Sequence, residues 1–388
     1  MYEEILCITH KYPPFTGGME KQSYELIQGL SFYYRVHIIA FEGKGNKMLW
    51  FLKLKSRVKN ILKANPGIQL IHLNDGTMGV AALWLQKVTQ IPVVVTYHGL
   101  DITFPLSFFQ KKLIPKLGKY KGAVCVSKFT REECIKRGFD PNTTFIVNNG
   151  VDLSLGKIPF DKTIIQKLKN EYFIDVTGKN IIMATGRPVK RKGFSWFLKN
   201  VMPLLNDDVV FLITGPLNKS QSLFDEFLQR LPLKIGYNIR LLLGHSTDKE
   251  ELIQQLSKQK NAFHLGKVPN EDLIQMLSLA DLFVMPNLSI SGDVEGFGLV
   301  ALESSIRGTY VLASGIQGIT DAVIDGENGT LLSSGNAQAW ADKIKEMLSD
   351  KDRLKILSEK SRDYTVQHFS WEKMVDEYIK VFDGFIHQ

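Results

Sequence analysis

The sequence predicts an α/β protein of two doubly wound, Rossmann-like parallel-sheet domains facing each other. Three observations carry that expectation. Short runs of β-branched and apolar residues alternate with helix-length amphipathic stretches from end to end, the pattern of right-handed βαβ units. The runs are apolar almost throughout, as in strands covered by helices on both faces. Twelve such runs within 388 residues exceed the usual size of one sheet, and the pattern restarts near residue 180.

In the first half the candidate strands are residues 5–9, 35–40, 70–73, 93–97, 122–126 and 144–147. A polar, strandless stretch over 152–178, with Pro159 and Gly178, separates them from the second set. That set is 180–185, 209–214, 239–243, 262–265, 282–285 and 310–313. The expected domains are residues 1–165 and 166–370.

Composition narrows the class. With 44% hydrophobic and 23% charged residues the chain is too apolar for disorder and too mixed for a fibre. Cys7, Cys125 and Cys134 are few, odd in number and not at metal-ligand spacing, which argues against a disulfide scaffold or zinc knot and fits a reducing compartment. The opening MYEEILCITH holds two acids and a short apolar run, unlike a signal peptide. No window of 18 apolar residues predicts a transmembrane helix.

Charge is unevenly spread. Residues 1–150 hold 20 Lys and Arg against 10 Asp and Glu, whereas 151–388 hold 28 against 30. The excess of +8 therefore belongs to the first half, and it points to an anionic partner there. Residues 44–63 contain Lys44, Lys47, Lys53, Lys55, Arg57, Lys59 and Lys63 without an acid, interleaved with Met48, Leu49, Trp50, Phe51, Leu52, Leu54 and Val58. Residues 104–121 repeat the theme with Phe104, Leu106, Phe108, Phe109 and five lysines. Basic helices with apolar faces suit an anionic membrane surface, although each stretch also suits an ordinary helix packed on a sheet.

Sites in such sheets lie beyond the carboxyl ends of the strands. After the first strand, Gly17 and Gly18 precede a helix beginning near Met19, so bare N–H groups can approach an anion. The fourth strand runs into His98-Gly99-Leu100-Asp101, where His98 either touches a substrate or caps the strand. Ser127 and Lys128 read as a helix N-cap. In the second half, Gly186-Arg187 is followed by Lys190, Arg191, Lys192 and Gly193, a cationic loop suited to a diphosphate. The run Asp293-Val294-Glu295-Gly296-Phe297-Gly298-Leu299-Val300-Ala301-Leu302-Glu303 opens a helix. No strand immediately precedes its glycines, which makes a dinucleotide-binding turn a poor fit. Its backbone N–H groups from Phe297 to Val300 suit sugar hydroxyls and phosphate, Glu295 can accept from hydroxyls, and Glu303 suits a ribose diol.

The pair Glu295 and Glu303, seven residues between them, resembles the hallmark of retaining glycosyltransferases of family 4, which have the GT-B fold. Gly17-Gly18 with Glu20, His98-Gly99, Asn149-Gly150-Val151-Asp152, Gly186-Arg187 to Lys192-Gly193, Gly266-Lys267-Val268, the stretch from Asp321 to Gly329 and Phe369-Ser370-Trp371 are similar in order and spacing. The resemblance covers essentially the whole chain. It implies that Glu295 binds donor-sugar hydroxyls, with backbone help from Phe297, Gly298 and Leu299, and that Glu303 holds the ribose. Arg187 and Lys192 would neutralise the diphosphate, Gly18 would approach it from the other domain, and His98 would touch the transferring sugar. Lys267 and Val268 would line the base pocket, and a helix from about residue 371 would cross back onto the first domain.

The resemblance thus implies a metal-independent hexosyltransferase; the sparse cysteines and the two basic stretches place it in the cytoplasm, peripheral on the inner membrane face. Its partners would be a UDP- or GDP-sugar and a glycan or lipid-linked acceptor of cell-surface polysaccharide or glycolipid synthesis. Preorganised cations would stabilise the departing diphosphate. With no protein nucleophile in the motifs, retention implies same-face attack, the leaving phosphate taking the acceptor's proton. The only Asp-x-Asp, Asp350-Lys351-Asp352, lies in a charged helical stretch and reads as a solvated face rather than a metal site. A nucleotide-sugar 2-epimerase of similar fold is the alternative. A nucleic-acid partner is not expected, because no nucleic-acid motif accompanies the basic residues.

Overall fold

In the structure, a computed structural model that describes residues 2–217 and 247–387, each half forms a six-stranded parallel sheet. The first consists of β1 (Glu4–Thr9), β2 (Arg35–Ala40), β3 (Ile68–Leu73), β4 (Val93–Tyr97), β5 (Gly122–Cys125) and β6 (Thr144–Ile146), in the order β2-β1-β3-β4-β5-β6. The second consists of β7 (Asn180–Thr185), β8 (Val209–Thr214), β9 (Ala262–His264), β10 (Leu282–Met285), β11 (Tyr310–Ser314) and β12 (Thr330–Leu332), in the order β12-β11-β10-β7-β8-β9. All the pairings are parallel. The strand expected at 239–243 lies outside the described residues. The short edge strand β12 was not expected.

Alternate residues of each strand feed opposite cores, as the two-residue period requires. Leu6 and Ile8 of β1 join one core with Trp50, Leu54 and Val58, while Ile5 and Cys7 join the other with Leu26, Tyr378 and Phe382. Ile182 and Ala184 of β7 enter one core of the second sheet, and Ile181 and Met183 the other. Burial of each such side chain contributes about 1.5–3 kcal/mol.

The chain divides into two compact units. One comprises residues 1–151, 294–299 and 369–388, the other 152–293 and 300–368. The division near residue 165 expected from sequence would cut the helix Thr163–Asn170. Residues from Asp152 onward go with the second unit because Arg307 donates to the carbonyls of Leu155 and Ile158, while Ile164 and Leu168 fill the second unit's core.

In the first unit the helix Trp371–Ile386 is capped by Ser370, whose Oγ accepts from Lys373 N. Its Met374, Val375, Tyr378 and Phe382 form a helical-period stripe that is buried. Tyr378 Oη lies 2.9 Å from Thr96 Oγ1 and 3.3 Å from Gln22 Nε2, and Val375 packs against Gly29.

The basic helix Lys47–Ala64 behaves in two ways at once. Trp50, Leu54 and Val58, at a spacing of four, are core residues and not a lipid-facing stripe. Met48 and Leu52, however, are 74% and 75% exposed, beside the exposed Lys53, Lys55, Arg57 and Lys59. In the second basic stretch Phe104 and Ile114 are buried, whereas Phe108 is 63% exposed and Leu106 also faces out. Among the described residues no helix is long and apolar enough to cross a membrane.

Candidate functional site

Open α/β sheets take ligands at the carboxyl ends of strands, where the strand order reverses. That point lies between β1 and β3 in the first sheet and between β7 and β10 in the second.

In the first unit, β1 leads through residues 10–17 into the helix Gly18–Leu30. Gly17 and Gly18 are exposed, as an anion-facing turn needs, but a side chain on Gly17 would meet the Glu20 carboxylate. Glu20 pairs with Lys11 at 3.1 Å, so this turn carries an acid of its own. Leu299 packs over Gly18.

The segment Asn74-Asp75-Gly76 after β3 holds two histidines. His98 Nε2 lies 2.9 Å from the Asn74 carbonyl, which can only accept, so the ring carries its proton there. His98 is thereby tied down on one edge as a strand-capping histidine would be, and it remains half-buried. His10 Nδ1 lies 3.1 Å from Asp75 Oδ2. Burial alone would raise the Asp75 carboxyl, but the His10 ring and the Met78 N–H outweigh it and hold the group below the usual carboxylate range. Asp101 accepts from His98 N and Gly76 N at 2.9 Å each, locking the two loops together. Burial pushes the Asp101 carboxyl up, against the pull of His98 and Gly76.

Residues 294–299 also belong to this unit, although the sequence placed them with the other domain. Gly296 abuts the His98 carbonyl so closely that a Cβ would collide with its oxygen, and Gly99, at φ +101°, faces the Gly296 Cα. Glu295 is therefore held beside His98, half-buried; Phe297 and Gly298 are buried, and Phe297 lies 6.3 Å from the Phe369 ring.

In the second unit the loops after β7, β8 and β9 stack backbone on backbone. A Cβ on Gly215 would strike the Gly186 carbonyl, and Gly215 N donates to Gly266 O at 2.8 Å. Arg187, the residue after Gly186, is exposed. Lys192, half-buried, runs over Gly186: a Cβ there would sit 3.5 Å from its Cε and 4.0 Å from its Nζ. Arg191 has a different partner, the fully buried Asp293 at 3.0 Å. Gly193, left-handed at φ +68°, lies against the Pro286 carbonyl and joins this turn to the loop after β10. Lys267 is exposed and Val268 half-buried, packed on the second core. The helix Leu299–Ile306 buries Ala301, Leu302, Ser304, Ser305 and Ile306, and leaves Val300 and Glu303 half-exposed one turn from its start.

Asp350 and Asp352 are exposed at a helix junction, where Asp350 caps Arg353 N, as a solvated face would be. Among the described residues the one acid–histidine cluster with ligand-like spacing is Glu3, Asp383 and His387, and it includes none of these loops. Asp383 there already accepts from Tyr34.

The family model described as Glycosyl transferases group 1 matches residues 166–364, and that for Glycosyltransferase Family 4 matches residues 16–155. The chain belongs to the family 4 glycosyltransferases. It is 35% identical over 136 residues to a D-inositol 3-phosphate glycosyltransferase of Corynebacterium urealyticum, spanning 34% of this chain and only 30% of that relative. It is 24% identical over 290 residues to a GDP-mannose-dependent monoacylated alpha-(1-6)-phosphatidylinositol monomannoside mannosyltransferase of Corynebacterium glutamicum, spanning 73% of this chain and 67% of the relative. The solved structure of Anabaena HepE in complex with UDP and glucose has a TM-score of 0.73 at 18% identity, over 99% of this chain and 100% of that one. The fold is GT-B.

In this family 4 glycosyltransferase His10, Asp75 and Gly215 stand in the site loops without a sequence signal that singles them out, and Asp101 and Asp293 lie within the motif runs without a role that the sequence reveals. The general rule used for His98, a polar residue at a strand's carboxyl end, covers His10 after β1 and Asp75 after β3 equally. Nothing local to the sequence reveals that Arg191 pairs with Asp293, 102 residues away.

Proposed function

We propose that this glycosyltransferase moves a sugar from a UDP- or GDP-sugar to a glycan or lipid-linked acceptor, with retention and without a metal, in cell-surface polysaccharide or glycolipid synthesis. The observation that carries it is the bare backbone row Gly186, Gly215 and Gly266, with Lys192 lying over Gly186 and Arg187 beside it. Departure of a nucleoside diphosphate builds charge on phosphate oxygens, and fixed cations beside open backbone stabilise it most when water is excluded. Lys267 and Val268 suit the base, Glu303 the ribose and Glu295 the sugar hydroxyls, with N–H groups of Phe297, Gly298, Leu299 and Val300 completing the donor contacts. The half-exposed state of Glu295 and Glu303 is compatible with those roles.

A thermal-shift and slow-hydrolysis panel of UDP-, GDP- and ADP-sugars with EDTA present tests this directly. A sugar nucleotide at 100 times its Kd stabilises by about 2.7 kcal/mol. No stabilisation by any of them rejects the reading, and an epimerised donor formed without acceptor turns it to an isomerase. Activity abolished by EDTA and restored by magnesium contradicts the metal-free mechanism. With the responsive donor, Glu303→Ala should weaken both the sugar nucleotide and the free nucleoside diphosphate. Glu295→Ala should weaken the sugar nucleotide alone. Equal losses of the bare nucleotide in both variants would undo that division of roles.

The acceptor reading extends to the membrane. Exposed Met48, Leu49, Leu52, Leu106 and Phe108 accompany lysines on the first unit, and the C. glutamicum relative is named for a lipid acceptor. Each basic residue near anionic lipid contributes about 1 kcal/mol, so several give reversible attachment to the cytoplasmic membrane face. Co-sedimentation should require anionic vesicles, fall with salt, and drop when Lys53, Lys55, Arg57 and Lys59 become Glu. Equal recovery with neutral and anionic vesicles, or with neither, leaves a soluble acceptor.

A further inference from the structure

We propose that the open edge of the first sheet carries a binding site for neutral pyranose units of a glycan. A cavity of about 500 Å³ lies there, and every residue that lines it belongs to the first unit. It is distinct from the loops around His98, because β2 is the edge strand beyond β1 and the strand order reverses on the other side of β1. No step of the transfer is assigned to it, and it needs no part of the second unit.

The local structure explains why a cavity forms at this edge. Tyr12 packs with the core shared with the helix Gly18–Leu30, whereas Ile39 and Ile61 pack with the core shared with the helix Lys47–Ala64. Only β2 separates these two layers, and among the described residues no strand pairs with its outer side. Arg35 N donates to Glu3 O at 2.8 Å and Phe41 N to Thr9 O at 3.1 Å. By the two-residue period, the peptide groups of Ile38 and Ala40 therefore turn away from β1 and toward the cavity. On the helix side Arg57, Asn60 and Ile61 stand at i, i+3 and i+4 and share one face. The Arg57 guanidinium lies 6.0 Å from the centre of the Trp50 ring, while Tyr12, 5.9 Å from Tyr24 between ring centres, closes the opposite wall.

The chemistry of the lining selects the ligand. Among the described residues Glu42, Arg57 and Asn60 have no hydrogen bond and no ion pair. A solvated surface accounts for one such side chain more readily than for three around a single cavity. A carboxylate only accepts, a guanidinium only donates and an amide does both, and the outward peptide groups of β2 add one donor and one acceptor per residue. Vicinal hydroxyls, each a donor and an acceptor, match such a mixed set. Glu42 opposes an anion and Arg57 opposes a cation, so a neutral ligand is favoured. Ile38, 42% exposed, and the half-buried Ile61 offer apolar surface to the C–H face of a sugar ring. A peptide added as a strand would run along the whole of β2, yet Val36, which also turns its peptide groups outward, does not line the cavity.

Methyl NMR of the full chain with carbon-13 in its isoleucine methyl groups tests the site without turnover. Glucose, mannose, galactose and N-acetylglucosamine are titrated separately. At least one of them should shift Ile38 and Ile61 saturably and leave Ile182, in the core of the second unit, unmoved. The Kd of that sugar should rise about fivefold in Asn60→Ala and about tenfold or more in Glu42→Ala, as for the loss of a neutral and of a charged hydrogen bond. Both side chains are exposed, so neither substitution threatens folding. The uronic acid and the amino sugar of the same ring should each bind more weakly than the neutral sugar. Absence of a shift at Ile38 and Ile61 with all four sugars overturns the site. So do shifts that persist unchanged in both variants, or that are matched at Ile182, and tighter binding of either charged sugar overturns its preference for a neutral ligand.

Discussion

Arg187→Ala and Lys192→Ala are each expected to lower kcat/KM by tens- to thousands-fold, about 2–4 kcal/mol, the range for removing one preorganised charge from a transition state. Both follow from where the residues stand. Arg187 follows Gly186 in the chain and is exposed, so its truncation should change stability by less than about 0.5 kcal/mol. Lys192 runs its stem across Gly186, and what it loses is the ammonium at the end of that stem. Arg191 should behave differently although it sits between them in sequence. It faces the fully buried Asp293, and removing one partner of a buried pair typically costs about 3–5 kcal/mol of stability. Arg191→Ala is therefore expected to lower the melting temperature first. Parallel melting and steady-state measurements separate the three. Wild-type rates in Arg187→Ala or Lys192→Ala would remove them from the diphosphate site, and an unaltered melt in Arg191→Ala would remove the structural role.

The separation also shows what could be read from sequence and what could not. The strands at 93–97, 180–185, 209–214 and 282–285 match the expected bounds to the residue, because strands covered on both faces are apolar almost throughout their length. The edge strand at 35–40, with exposed Arg35 and Ile38, matches as well, on its β-branched run alone. The edge strand Thr330–Leu332 was not legible, since it is three residues long, half-buried, and follows a turn in which Asn328 stands in for backbone partners. The basic triplet at 190–192 was legible as a cationic loop, but not which cation is engaged elsewhere. That depends on Asp293, which only folding brings near. Helical period separates Trp50, Leu54 and Val58 from Met48 and Leu52 on one helix, yet period alone does not say which face meets the sheet. Residues 294–299 were assigned by chain continuity to the second domain, whereas the absence of a side chain on Gly296 lets them lie against His98 in the first unit.

Gly193→Ala is expected to destabilise the second unit by about 2–5 kcal/mol, and Gly266→Ala by only about 1–2 kcal/mol. The two glycines have nearly the same backbone, left-handed at φ +68° and +74°, so an alanine meets the same intrinsic strain at either position. They differ in what surrounds the added methyl. At Gly266 no atom of the other described residues, its chain neighbours aside, lies within 4 Å of the added methyl, and strain is the main cost. At Gly193 the Cβ would collide with the Pro286 carbonyl oxygen, with Leu288 Cγ 3.4 Å away on the same side. Neither neighbour can yield cheaply, because Leu288 N is bonded to the Arg191 carbonyl at 2.8 Å and Arg191 is itself held by Asp293. Relief would have to come from moving the turn that carries Lys192, so Gly193→Ala should also lose activity out of proportion to its melting shift, whereas Gly266→Ala should keep the two in step. Melting curves and kcat/KM for both variants decide it. Equal destabilisation by the two substitutions would mean that the turn and the loop after β10 are not in contact, and with that the placement of Lys192 over Gly186 would fall.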